Sequence, residues 1–119
     1  MNILVVKTSS LGDIIQSLST LSLLKNFNSS ISIDWIAEKP FCELLESHPL
    51  INKVIPIEIR KWKRLSFKSF FEIHRAIKSL KQKKYDVLFD LQGNIKSGLI
   101  TLLARAKEKV GYSFSSSAE

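Results

Sequence analysis

The sequence predicts an α/β fold in which a parallel sheet is flanked by helices. Three observations predict it. Short β-branched runs recur along the chain, stretches with a period of about 3.6 residues separate them, and Pro, Gly, Asn or Ser punctuates the junctions. A chain of 119 residues, 45% of them apolar and 9% aromatic, can pack a single core. Strands that alternate with helices at these lengths need crossover connections, and crossovers make the strands parallel.

The elements follow in order. "NILVVK" (2–7) reads as a buried strand, being short, β-branched and bounded by turn residues. From Asp13 the spacing becomes helical, with Ile14, Leu18 and Leu21 on one face and Ile15 and Leu24 alongside. "NSS" (28–30) closes that unit, and "ISIDWIA" (31–37) is the second strand. Pro40 marks the start of a short helix through Leu44 and Leu45, ended by His48-Pro49. "KVIPIEI" (53–59) alternates as a strand, and Pro56 argues for an edge or irregular position. A basic helix follows, with Phe67, Phe70, Ile73, Ile77 and Leu80 on its inner face; Phe71 is also assigned to the core. "YDVLFDLQ" (85–92) is the clearest strand, "NIKSGLITLLARA" (94–106) a helix, and "KVGY" (109–112) a last short strand. The closing "SFSSSAE" (113–119) reads as a tail.

Charge is concentrated rather than mixed. Residues 60–84 hold ten basic side chains and one acid, Glu72, so this segment carries +9 of a net +7 and the remainder −2. Such a zone raises the local concentration of anions. A single cysteine, Cys42, excludes an intramolecular disulfide and fits a reducing compartment. Lys7 interrupts the first apolar run, so no signal peptide is expected, and no run is long enough for a membrane span. A cytoplasmic protein is expected. His48 and His74 have no acidic or cysteine partner at ligand spacing, so neither is given a metal or catalytic role.

In an open parallel sheet, ligands bind beyond the carboxyl ends of the strands. That rule brings "KTSSLGD" (7–13), the segment after the third strand and "DLQG" (90–93) to one edge. Asp13 there has two readings: a helix cap, or a general base, which needs geometry to a hydroxyl proton more than a raised pKa. Gly12 before it permits close approach of a ligand to the backbone. The motif is neither a Walker loop nor Gly-x-Gly-x-x-Gly. "RKWKR" (60–64) is a solvated loop or an anion site, since Arg suits phosphate and carboxylate groups. An anionic lipid headgroup beside Trp62 also fits. Nucleic acid is disfavoured because no stacking series or helix-turn-helix pattern accompanies the charge.

Taken together, "ILVVKTSSLGDIIQSL", "IDWIAEKPF", "HPLINKVIPIEIRKWKR" and "YDVLFDLQGNIKSGLI" resemble the N-terminal part of the lipopolysaccharide heptosyltransferase I family, from glycosyltransferase family 9. The likeness runs from Met1 to about Gly111 in the same order and spacing; Asn94, Ser113 and Ala118 depart from it. The resemblance implies a Rossmann-like domain at residues 1–112, the N-terminal half of a GT-B enzyme, with its C-terminal donor-binding domain outside this chain. It implies transfer of heptose from ADP-heptose to the Kdo of the lipopolysaccharide inner core, inverting and without metal or other cofactor. Asp13 then matches the general base, and Lys7, Thr8, Ser9, Ser10 and Gly12 the acceptor loop. Arg60, Lys61, Lys63 and Arg64 match the cluster that holds Kdo-lipid A, with Gln92, Asn94 and Lys96 facing the same cleft. The implied location is peripheral to the cytoplasmic face of the inner membrane, with no nucleic-acid partner. The chain alone is expected to be inactive; the alternative is a non-catalytic module binding anions or a membrane surface.

Overall fold

A computed structural model describes residues 1–58, 67–93 and 95–111. Its elements are β1 (Asn2–Val6), α1 (Leu11–Phe27), β2 (Ser32–Glu38), α2 (Lys39–Glu46), β3 (Lys53–Ile57), α3 (Phe67–Lys81), β4 (Tyr85–Asp90), α4 (Ile95–Leu103) and β5 (Ala106–Gly111). The five strands form one sheet in the order β3-β2-β1-β4-β5, every neighbouring pair parallel. The expected α/β class is borne out.

The apolar runs of β1 and β2 are continuous because both faces of a parallel sheet are covered. Ile3, Val5, Ile33, Trp35 and Ala37 pack on one face with Ile14 and Leu21 of α1 and with Cys42 and Leu45 of α2. Leu4, Val6 and Ile36 point the other way, with Ile55 and Ile57 of β3, Leu80 of α3 and Ile100 of α4. The alternation of side chains along each strand therefore builds two cores on one sheet. β3 lies at the end of the strand order, the first of the two positions that Pro56 allows.

Several details differ from the sequence expectation, among them that β5 begins at Ala106 rather than Lys109. Ile15 is exposed, because it lies about 100° around the helix from Ile14, which with Leu21 forms the buried line. Phe71 is exposed for the same kind of reason: nine residues from the buried Leu80, it faces about half a turn away. The fourth helix stops at Leu103 rather than 106, because Tyr85 N–H donates to Arg105 O at 2.8 Å and draws that segment into the sheet, where Tyr85 pairs with Ala106. Among the described residues no helix is long and apolar enough to cross a membrane.

Cys42 is buried, and its thiol contacts Ala37 O at 3.6 Å and Glu38 O at 3.5 Å. Burial, with a smaller contribution from the Glu46 charge, pushes its pKa up to about 11, against the opposing pull of Lys39. The thiolate is the nucleophile, so iodoacetamide at pH 8 should alkylate the native thiol roughly a hundredfold more slowly than the thiol of the unfolded chain. Timed alkylation read by mass spectrometry checks this.

Candidate functional site

The strand order reverses between β1 and β4: successive strands run outward from β1 to β3 on one side, then to β4 and β5 on the other. Such a switch point opens a crevice at the carboxyl ends of the strands, because the flanking connections leave in opposite directions. The loop 7–10 after β1 and the turn 91–93 after β4 meet there.

The first loop is held from both sides. Lys7 N–H donates to Ile36 O at 3.3 Å, Glu38 N–H to Thr8 O at 3.0 Å, and Leu91 N–H to Val6 O at 3.0 Å. Trp35, fully buried in β2, donates its indole N–H to Lys7 O at 3.0 Å and supports the loop from below. Thr8 is itself buried.

Gln92 joins the two loops. Its Oε1 accepts from Thr8 N–H at 3.2 Å and Ser9 N–H at 3.3 Å, and its Nε2 donates to Ser9 Oγ at 3.4 Å. The amide is thus engaged in shaping the loop. Gln92 is presented by a tight turn: Asp90 Oδ1 accepts from the N–H groups of Gln92 (3.1 Å) and Gly93 (3.0 Å), and Gly93 adopts φ 65°. A side chain there would be strained, so glycine suits the position. Opposite Asp90 in the sheet is Gly111, where an added Cβ would come within 2.7 Å of Asp90 Cβ. Packing at that point therefore selects glycine as well.

Asp13 occupies the third position of α1 and is exposed. The N-cap residue is Ser10, whose extended backbone (φ −90°, ψ 178°) leads into the helix. Ser10 makes no side-chain bond to the helix backbone; its Oγ donates instead to Asp13 Oδ2 at 3.2 Å. Asp13 is therefore not the cap that its place after glycine suggests. One carboxylate oxygen is oriented by Ser10, and the other has no partner among the described residues. A Cβ on Gly12 would meet nothing within 4 Å. Protein packing does not demand glycine there, and the space above it is open.

The structure brings Lys7, Thr8, Ser9, Ser10, Gly12 and Asp13 together with Gln92. Lys96 lies in the first turn of α4, which also begins at this edge. Arg60, Lys61, Lys63, Arg64 and Asn94 lie outside the described residues. Their segment 60–64 follows β3, whose carboxyl end is on the same edge two strands from β1. Sequence reasoning missed Trp35 as the support of the loop; its place in an apolar strand carried no sign of that hydrogen bond. No group of three or more His, Cys, Asp or Glu side chains placed to hold a metal occurs among the described residues.

Residues 73–119 match the model of glycosyltransferase family 9 (heptosyltransferase). Lipopolysaccharide heptosyltransferase 1 of Escherichia coli O18:K1:H7 is 36% identical over 107 residues, covering 87% of this chain and 33% of that protein. The chain belongs to glycosyltransferase family 9. The Pseudomonas aeruginosa lipopolysaccharide heptosyltransferase 1 is 38% identical over 103 residues, 85% of this chain and 29% of that protein. The structure of the E. coli heptosyltransferase WaaC with ADP-2-deoxy-2-fluoro heptose superposes with a TM-score of 0.91 at 33% identity, covering all of this chain and 38% of that one. The family 9 sheet described above is thus the Rossmann-like half of a GT-B heptosyltransferase fold. The chain spans about a third of the length of the curated relatives it matches.

Proposed function

We propose that this chain is the acceptor-binding domain (residues 1–112, with 113–119 as a tail) of an enzyme that transfers L-glycero-D-manno-heptose from ADP-heptose to Kdo of the lipopolysaccharide inner core. The observation that carries the reading is the exposed Asp13 carboxylate at the switch-point edge, in a chain aligned with lipopolysaccharide heptosyltransferases. In the proposed reaction Asp13 accepts the proton of the Kdo hydroxyl as its oxygen attacks the anomeric carbon of heptose. The new C–O bond forms on the face opposite the departing ADP, so the centre inverts and no metal takes part. Ser10 orients the base through Oδ2, leaving Oδ1 to face the hydroxyl.

Lys7, Thr8, Ser9, Ser10 and Gly12 shape the acceptor pocket, with Gln92 holding that loop from β4, and Asn94 and Lys96 contribute to binding the same acceptor. Arg60, Lys61, Lys63 and Arg64 bind the Kdo carboxylates and lipid A phosphates, the anions that guanidinium and ammonium groups suit. The acceptor is embedded in the inner membrane, so the enzyme works peripherally at its cytoplasmic face. ADP-heptose is held by the part of a full-length enzyme that this chain does not span. Alone, the chain cannot bring both substrates into near-attack geometry, a contribution of roughly 7–11 kcal/mol.

The cluster supplies the experiment. Replacing Arg60, Lys61, Lys63 and Arg64 together by Ala should remove most binding of Kdo-lipid A, measured on the chain in neutral detergent micelles. Wild-type binding should fade with added salt, because screening at about 0.15 M shortens electrostatic reach to about 8 Å. Binding that survives the fourfold change would move the acceptor site elsewhere.

A further inference from the structure

The β3 edge of the sheet carries an open cleft of about 320 Å³ that the proposed reaction does not use. Ile55 and Pro56 line it, and Pro56 has no N–H to offer to an added strand along this edge, the outer one among the described residues. One wall is α3, where Arg75 and Ser79 stand four residues apart on one helix face with Ala76 beside them. The opposite wall is the start of α2, where Lys39 Nζ lies 3.0 Å from Glu58 Oε1. Arg75 is exposed and has no carboxylate partner among the described residues.

We propose that this cleft binds the anionic group of a single sugar, a phosphate or a carboxylate, with Arg75 as the principal ligand. The guanidinium fork matches either anion in bidentate geometry, and Ser79 adds a hydroxyl donor from the same helix face. Lys39 brings a second cation from across the cleft, held in place by Glu58. Ile55, Pro56 and Ala76 form an apolar surface for the C–H face of a pyranose ring. The volume lies at the low end of the roughly 300–1,000 Å³ typical of ligand pockets, which suits one ring. Among the described residues no aromatic side chain lines the cleft.

The site is distinct from the Asp13 loop: β3 and β1 are two strands apart, about 10 Å across the sheet. Glu58 precedes Arg60 by two residues, so the cleft adjoins the basic segment in the chain. The inference rests on the acceptor-domain reading for the identity of the sugar, an anionic sugar of the lipopolysaccharide core, but not for the binding itself.

The test is an amide-shift titration of the ¹⁵N-labelled chain with glucose 6-phosphate, glucuronate and, as neutral control, glucose. The expected result is a saturable set of shifts at Lys39, Glu58 and residues 75–79 with one or both anions, none with glucose, and none at residues 8–13. The anion that binds identifies the group as phosphate or carboxylate. Arg75→Gln should weaken that binding at least about tenfold, the loss expected of a charge-assisted hydrogen bond. Arg75 is exposed; should the variant nonetheless lose its dispersed spectrum, Lys39→Met is read instead, with a loss of several-fold. No saturable shift with either anion, equal shifts with glucose, or unchanged affinity in the variant that folds would overturn the proposal. Binding here together with normal turnover in an Asp13→Asn enzyme would instead overturn the proposed reaction and leave this subsite standing.

Discussion

Replacing Asp13 by Asn in a full-length enzyme that carries this domain is expected to lower kcat by about 10²–10⁴-fold, the usual contribution of general-base catalysis. Asparagine has nearly the same shape and can still accept from Ser10, whose Oγ lies 3.2 Å from Asp13 Oδ2. An amide, however, cannot take a proton near neutral pH. Acceptor binding should therefore be largely kept, giving a fall in kcat with little change in KM. Stability should move by no more than about 0.5 kcal/mol, because the side chain is exposed and is not the helix cap. Steady-state kinetics and a melting curve on the same variant separate the two roles. Near-normal turnover would leave Asp13 as a helix-terminus acid and nothing more.

The second large effect lies at the opposite edge of the sheet. Asp34 in β2 is fully buried, yet three donors converge on it. Tyr85 OH donates to its Oδ2 at 2.6 Å, Lys83 Nζ to the same oxygen at 3.1 Å, and Asn52 Nδ2 to Oδ1 at 3.1 Å. Lys83 also lies 5.4 Å from the centre of the Tyr85 ring. Burial, and then the hydrogen bond and charge of Asp34, push the Tyr85 hydroxyl well above its ordinary pKa, so it stays a donor at any working pH. Asp34→Ala would strand a buried hydroxyl, an amide and part of an ammonium group. Removing one partner of such a buried set costs about 3–5 kcal/mol, a fall in Tm of roughly 10–20 °C. Tyr85→Phe removes one donor to a charged group and should cost less, about 1.5–3 kcal/mol. Differential scanning calorimetry of the two variants checks both the size and the order. A Tm for Asp34→Ala within a degree or two of wild type would contradict the account.

These two acids show what could be read from the sequence and what could not. The β-branched runs and the helical spacings of the flanking segments are local signals, and they delivered the sheet, the edge position of β3 and the crowded carboxyl edge. Asp13 stood out because it follows Gly12 at a strand-to-helix turn. Its relation to Ser10 did not, since a cap and its neighbour three residues on can exchange roles without changing the pattern. Asp34 sits in "ISIDWIA" like any strand residue, while its partners come from positions 52, 83 and 85. A buried carboxylate must be paired, which is the signal that could have found it. Which residues pair with it depends on β1 lying between β2 and β4, a matter of topology rather than local pattern. The end of α4 was misread for a similar reason: Ala104 and Arg105 continue a good helical sequence, and only the pairing of β5 with β4 takes them out of it.

The claim that this domain holds the acceptor is tested most directly by titrating the ¹⁵N-labelled 119-residue chain with Kdo-lipid A in micelles and, separately, with ADP-heptose. The expected result is amide shifts at residues 7–13 and 91–93 with Kdo-lipid A that empty micelles do not reproduce, and none there with ADP-heptose. Shifts of those residues with ADP-heptose alone, and none with Kdo-lipid A, would contradict it.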